Sequence, residues 1–416
     1  MPGVEDLVAE LARELDARLA AEDDALVERF PGERPGRQPV HTVYVPADRY
    51  GVGLAPEWGQ RALQSVADHT DVLRECLGES AADLLPLVRD KLEREPIEDL
   101  RIDFEDGYGA RPDDVEDADV ARTAEALAAS QADAASPPSY GIRFKSLERP
   151  TRRRGLATLV AFVEHLLAAG GTLDGFVVTL PKVTAVAQVE AMALACERIE
   201  AAHGLTPETL RFEIQVETPQ SILGPDGSAL VARMIGAAPA RVVGLHYGTY
   251  DYSAFCGIAA PYQSLEHPAA DHAKAVMQAA AAGTGVRLSD GSTNILPVGG
   301  ADQVRRGWAL HLRLVRRALE RGFYQGWDLH PAQLPTRYAA TYAFYREGFA
   351  DAADRLQRYR ARTAGGVLDE PATARALADF LVRGLDCGAV GDGEVQAATG
   401  MDPTELTLLA RPVRTR

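Results

Sequence analysis

The chain has 416 residues, 46% apolar and 25% charged, a balance that excludes a disordered or fibrous protein and supplies ample material for a core. Forty-four Lys and Arg against 60 Asp and Glu leave a formal charge of −16, which argues against a nucleic-acid partner, since that needs a clustered basic face. The four cysteines, Cys76, Cys196, Cys256 and Cys387, lie far apart with no CxxC pair, which excludes a zinc ribbon or disulfide scaffold and suits a reducing compartment.

Residues 1–37 open with MPGVEDLVAELARELDARLAAEDD, whose apolar residues recur as on an amphipathic helix, and close with the linker PGERPGRQP. The start is acidic and lacks an unbroken apolar run, so it does not read as a secretory signal. No stretch approaches the roughly 20 apolar residues of a membrane span. A soluble, cytoplasmic protein without a membrane partner is expected.

From 38 to 349, short β-rich runs alternate with long Ala/Leu/Arg-rich stretches of helical period. The strand candidates are HTVYVPA (41–47), LRIDFED (100–106), YGIRFKS (140–146), GFVVTLPK (175–182), RFEIQVET (211–218), RVVGLHYGT (241–249), VRLSDGSTN (286–294) and GWDLHP (326–331). The helical stretches VAQVEAMALACERIEAAHG and RRGWALHLRLVRRALERG each close on a glycine of the kind that follows a helix C-terminus. Eight strands alternating with helices predict an α/β fold, a TIM (β/α)8 barrel, flanked by an N-terminal and a C-terminal helical extension. A doubly wound open sheet would want a GxGxxG turn after its first strand, and VPADRYGVG has none. Residues 350–416 read as several short helices, with Asp402 placed to cap the one starting at Pro403.

In such a barrel, polar residues at the C-terminal strand ends are the active-site candidates. They are Asp103, Glu105 and Asp106 on the second strand, Arg143 and Lys145 on the third, and Lys182 on the fourth. Glu217 ends the fifth, His246 and Asp251 the sixth, Asp290 the seventh, and Asp328 and His330 the eighth. Glu217 and Asp251 follow apolar strands and suit Mg²⁺, which takes one or two carboxylates plus waters and substrate oxygens. Arg143 offers a planar fork for a carboxylate and positive charge beside a developing enolate; its alternative is a buried pair with Glu105 or Asp106. Lys182 reads as a Schiff-base nucleophile, a hydrogen-bond donor or a barrel salt bridge. His330, before Pro331, reads as a capping histidine or as a base.

Six of these segments together resemble the HpcH/HpaI aldolase and citrate lyase β-subunit superfamily. They are IDFEDGY (102–108), IRFKSLE (142–148), LPKV (180–183), VETPQSIL (216–223), GTYDYSAFCGI (248–258) and GFYQGWDLHPAQL (322–334). The resemblance runs from VYVPADR (43–49) through the barrel and leaves the terminal extensions uncovered. Asp106 stands where the hydroxyacid-aldolase branch carries a histidine base, so the chain is closer to the citrate-lyase-β-like and malyl-CoA-lyase-like branch.

The resemblance implies a Mg²⁺-dependent carbon–carbon lyase or aldolase, with Mn²⁺ as an alternative ion. It acts through a metal-stabilised enolate on a 2-oxoacid or acyl-CoA type carboxylate. It makes Glu217 and Asp251 the metal ligands, and Arg143 and Thr249 the substrate-binding residues. Arg143, Asp106, Glu105, Lys182 and His330 form the catalytic set. CoA enters as part of the substrate, with TRRRG (151–155) as the basic cluster for its phosphate, and a homo-oligomer is expected. The alternatives are a Schiff-base aldolase using Lys182, its pKa lowered by burial, and a catalytically silent barrel that binds a carboxylate metabolite.

Overall fold

All eight predicted strands form in the computed structural model, which describes residues 3–133, 136–361 and 370–412. They are β1 (His41–Pro46), β2 (Asp99–Asp103), β3 (Ser139–Arg143), β4 (Phe176–Leu180), β5 (Arg211–Val216), β6 (Val242–Tyr247), β7 (Arg287–Ser289) and β8 (Gly326–Asp328). Neighbours pair in parallel in the order β7-β6-β5-β4-β3-β2-β1-β8, and a single bridge between Ser289 and Gln325 brings the two edges together. Closure with helices outside covers both faces of each strand, which is why the strands read as near-continuous apolar runs.

All eight strands stop earlier than their patterns suggest, and at β2 and β7 a carboxylate turns the chain. β2 ends at Asp103 because the Asp103 carboxylate accepts the Glu105 and Gly107 amides at 3.0 and 2.9 Å and turns the chain. β7 has three residues and gives way to a loop in which the Asp290 carboxylate accepts the Gly291 amide.

The barrel interior is filled by polar side chains as well as apolar ones. Glu213 takes two bonds from Arg101, at 2.8 and 3.1 Å, and one contact from His246 at 3.0 Å. His246 accepts in turn from the Trp327 indole, whose ring lies 4.6 Å from that of Tyr44. His246 therefore belongs to the barrel's inner layer and not to its mouth, where the strand pattern had put it.

The helix Val186–His203 ends on Gly204 in the left-handed conformation, φ 63°, and Asp402 caps the helix Pro403–Ala410 through the Thr404 and Glu405 amides. The helix Leu334–Ala361 runs unbroken through residue 350. Its first half packs into the barrel core, and its second half packs with helices Pro371–Asp386, Asp392–Thr399 and Pro403–Ala410 around Leu356, Leu381 and Leu406. The leading helix Val4–Arg29 buries none of its residues. Among the described residues, no helix is long and apolar enough to cross a membrane.

Candidate active site

The site assembles at the C-terminal ends of β2 to β6. Asp103 and Arg143 are register partners at the ends of β2 and β3, so their side chains emerge together. Arg143 donates to both Asp103 oxygens, Nε at 2.7 Å and Nη2 at 2.6 Å. Its Nη1 reaches Gln215 Oε1 at 3.4 Å and lies 3.6 Å from Glu105 Oε2. The guanidinium sits 4.8 Å above the Tyr44 ring, which forms the floor. Burial works against the charge, but Asp103 outweighs it and holds Arg143 well above its ordinary pKa. Arg143 does have the buried carboxylate partner that was expected of it, yet that partner is chiefly Asp103, with Glu105 second.

Glu217 follows β5 directly and is fully buried. Its Oε1 accepts the Lys182 backbone amide at 2.7 Å, and its Oε2 accepts the Gln215 side-chain amide. Lys182 presents that amide from a left-handed backbone, φ 53°, a conformation that costs a non-glycine residue about 1–3 kcal/mol and clusters at functional sites. Gly248 leaves room for the carboxylate: a Cβ there would lie 2.4 Å from Glu217 Cβ and 2.9 Å from Oε2. Burial pushes the Glu217 carboxyl well above the usual carboxylate range, with the nearby Asp251 and Glu105 charges adding to the effect.

The Lys182 ammonium donates to Glu105 Oε1 at 2.5 Å and Asp106 Oδ2 at 2.7 Å, and lies 3.9 Å from Asp251 Oδ2. Although burial opposes the charge, Glu217 and Glu105 hold the amine above its ordinary value. This corrects the expected lowering: an amine kept protonated by three carboxylates is a poor Schiff-base nucleophile. Burial raises Glu105, whereas the bond from Lys182 overcomes burial and lowers Asp106, which stays partly open to the mouth.

Five carboxylates, Asp103, Glu105, Asp106, Glu217 and Asp251, thus face two cations, Arg143 and Lys182. The excess is negative, the donors are hard oxygens, and one carboxylate is buried at the cost of its charge. Such a donor set has the hard-oxygen chemistry a divalent cation such as Mg²⁺ takes, and Glu217 and Asp251 are the two that could hold one, with waters or substrate completing the shell. Among the described residues, no three His, Cys, Asp or Glu side chains already converge as a closed metal shell.

Other candidates lie apart from this cluster. His330 accepts the Ala332 amide at 3.1 Å and caps the turn Pro331–Gln333. Burial and Arg61 lower its pKa. The buried Thr249 hydroxyl donates to the Ser292 carbonyl at 3.1 Å. Asp290 pairs with Lys274 at 3.0 Å, and Asp328 is enclosed by His41, His311 and Arg337. In TRRRG, Arg154 is engaged by Asp117 at 2.6 Å, while Arg152 and Arg153 are exposed at the start of the helix Arg152–Ala168.

Sequence reasoning placed Asp103 at a strand end without giving it a role, and did not single out Gln215. Gln215 is the link between Arg143 and Glu217. The available signal was its position two residues before Glu217, which puts both on one face of β5.

A family model described as a domain of unknown function, DUF6986, matches residues 19–413. No curated protein matches the sequence. Among solved structures, malate synthase from Haloferax volcanii, in a lead(II) complex, is similar at 17% identity and a TM-score of 0.51, covering 88% of this chain and 100% of that one. The protein CitE from Mycobacterium tuberculosis, solved with magnesium, acetoacetate and coenzyme A, gives 18% identity and a TM-score of 0.49, covering 85% and 99%. The malate synthase likeness shows a shared barrel fold.

Proposed function

We propose that this chain, which belongs to the DUF6986 family, is a magnesium-dependent carbon–carbon lyase acting on a 2-oxoacid or acyl-CoA type carboxylate. The observation that carries the reading is the convergence of a buried, doubly braced arginine with an uncompensated carboxylate group at one barrel mouth. Arg143, oriented by Asp103 and Gln215, grips the substrate carboxylate or carbonyl oxygen and faces the charge that grows there as the C–C bond breaks. Glu217 and Asp251 would hold the metal, which when bound adds positive charge beside that oxygen. Lys182 keeps Asp106 ionised and, through its backbone amide, aims Glu217. Asp106 is then the group at the mouth able to accept the proton of the substrate's β-hydroxyl. His330 caps a turn and is not needed for this step.

The test is a panel of 4-hydroxy-2-oxoacids and malyl-type CoA thioesters incubated with the protein and Mg²⁺, following release of the 2-oxoacid or aldehyde fragment. Turnover abolished by EDTA, restored by Mg²⁺ or Mn²⁺ and lost in Glu217→Gln is expected. A protein that binds no Mg²⁺ by calorimetry and turns over no member of the panel would sink the reading.

A further inference from the structure

The opposite face of the barrel holds a cavity, of about 570 Å³, that the lyase chemistry does not use. It is framed by residues that begin strands, including Asp99, Ser139, Arg211 and Arg287, and so lies at the far end from Arg143 and Glu217. Arg34 joins the rim from the linker after the leading helix. That linker is tied to the foot of β7. Gly32 donates to the Gly283 carbonyl at 2.9 Å, Arg287 donates to the Gly36 and Pro35 carbonyls at 2.7 and 3.3 Å, and Arg34 Nε donates to the Gly285 carbonyl at 3.4 Å.

These bonds hold two half-buried guanidiniums in place without neutralising them. Among the described residues, neither Arg34 nor Arg287 has a carboxylate within ion-pair distance, and nor does Arg211 beside them. The half-buried Arg37, Arg154, Arg305, Arg316, Arg317 and Arg383 all do. Several acids of this region are engaged elsewhere. Asp379 bonds Arg383 and Arg411, Glu33 lies 3.7 Å from Arg383, and Asp99 and Glu213 at the cavity's base are both paired with Arg101. Burial, with Arg34, Arg383 and Arg411 close by, lowers Arg287 to about 10, and burial with Arg211 lowers Arg34. An unpaired, partly desolvated cation cluster is unfavourable on its own, and stands out in a chain of net charge −16.

We infer that this cavity is a binding site for a phosphorylated small molecule, its phosphate held by Arg34, Arg211 and Arg287. Three guanidinium forks from separate segments match a tetrahedral dianion, and each charge-assisted bond is stronger than a neutral one. The volume exceeds what a bare phosphate fills and lies in the range of small-molecule pockets, about 300–1,000 Å³. The exposed carboxylates of Asp174 and Glu208, which also line the cavity, would repel the anion but accept hydrogen bonds from hydroxyls. The ligand class is therefore a phosphate ester that carries hydroxyl groups.

Calorimetric titration of the full chain with ribose 5-phosphate and ADP, against inorganic phosphate and citrate, tests this. The expected result is saturable binding of at least one ester, at least tenfold tighter than citrate, and weakened by added salt. Arg211→Glu and Arg34→Gln should each weaken it tenfold or more, and Arg211→Glu should do so with an unchanged melting temperature, because among the described residues the Arg211 side chain makes no bond. Glu217→Gln should leave it untouched, which separates this site from the barrel mouth. No heat with either ester, citrate bound as tightly, or affinity unchanged in both arginine variants would overturn the assignment.

Discussion

Arg143→Met strands a buried acid. Asp103 is 1% exposed and receives two short bonds from the guanidinium, so the variant leaves its carboxylate without a counter-charge. Removing one partner of a buried pair costs about 3–5 kcal/mol. Unfolding entropy is about 2.1 cal/mol/K per residue, or roughly 0.9 kcal/mol/K for 416 residues, so the melting temperature should fall by roughly 3–6 °C. Arg143→Lys keeps the charge but has one donor group where three were used, giving up one bond to Asp103 and the contact to Gln215. At about 1.5–3 kcal/mol for a charged hydrogen bond, its melting point should drop by about 2–3 °C. The same variant loses the planar two-point grip on substrate, which costs about 10²–10³ in turnover if the contact tightens in the transition state. Differential scanning calorimetry beside steady-state kinetics separates the two effects. If both variants melt within about 1 °C of wild type, the buried pair contributes nothing and the stability reasoning is wrong. If Arg143→Lys turns over normally, Arg143 leaves the catalytic set.

Glu217→Gln should abolish Mg²⁺ binding in calorimetry while leaving the far-ultraviolet spectrum unchanged; retained affinity would remove Glu217 from the metal site. Gly248→Ala pushes a methyl group into Glu217, so it should weaken Mg²⁺ binding and destabilise by about 1–3 kcal/mol, read as a melting shift in EDTA. Burial alone would raise Glu213, but Arg101 and His246 outweigh it and hold its carboxyl below its ordinary 4.5. A depressed folded pKa contributes stability above the unfolded value that is lost as pH falls through the folded one. Wild-type melting temperature should therefore decline below pH 4.5 more steeply than that of Glu213→Gln; parallel acid profiles would contradict the pairing.

The sequence alone determined the number and order of the strands, because a strand covered on both faces needs an apolar, β-branched run and the turns between runs need Gly, Pro and Asp. It also determined that Arg143, Lys182 and Glu217 leave strands at one end of the barrel, since chain direction and strand length suffice for that. It did not reveal that Asp103, and not Glu105 or Asp106, is the main partner of Arg143. That depends on the register of β2 against β3 and on Asp103 turning the chain through the Glu105 and Gly107 amides. Nor did it reveal that Gln215 joins Arg143 to Glu217, that His246 is consumed inside the barrel, or that Asp328 is consumed between β8 and the helices Ala301–Glu320 and Leu334–Ala361 outside it. Alternation along a strand tells which residues share a face. Which layer of the barrel each one occupies is set by strand tilt and stagger, a property of the closed sheet that no single strand carries.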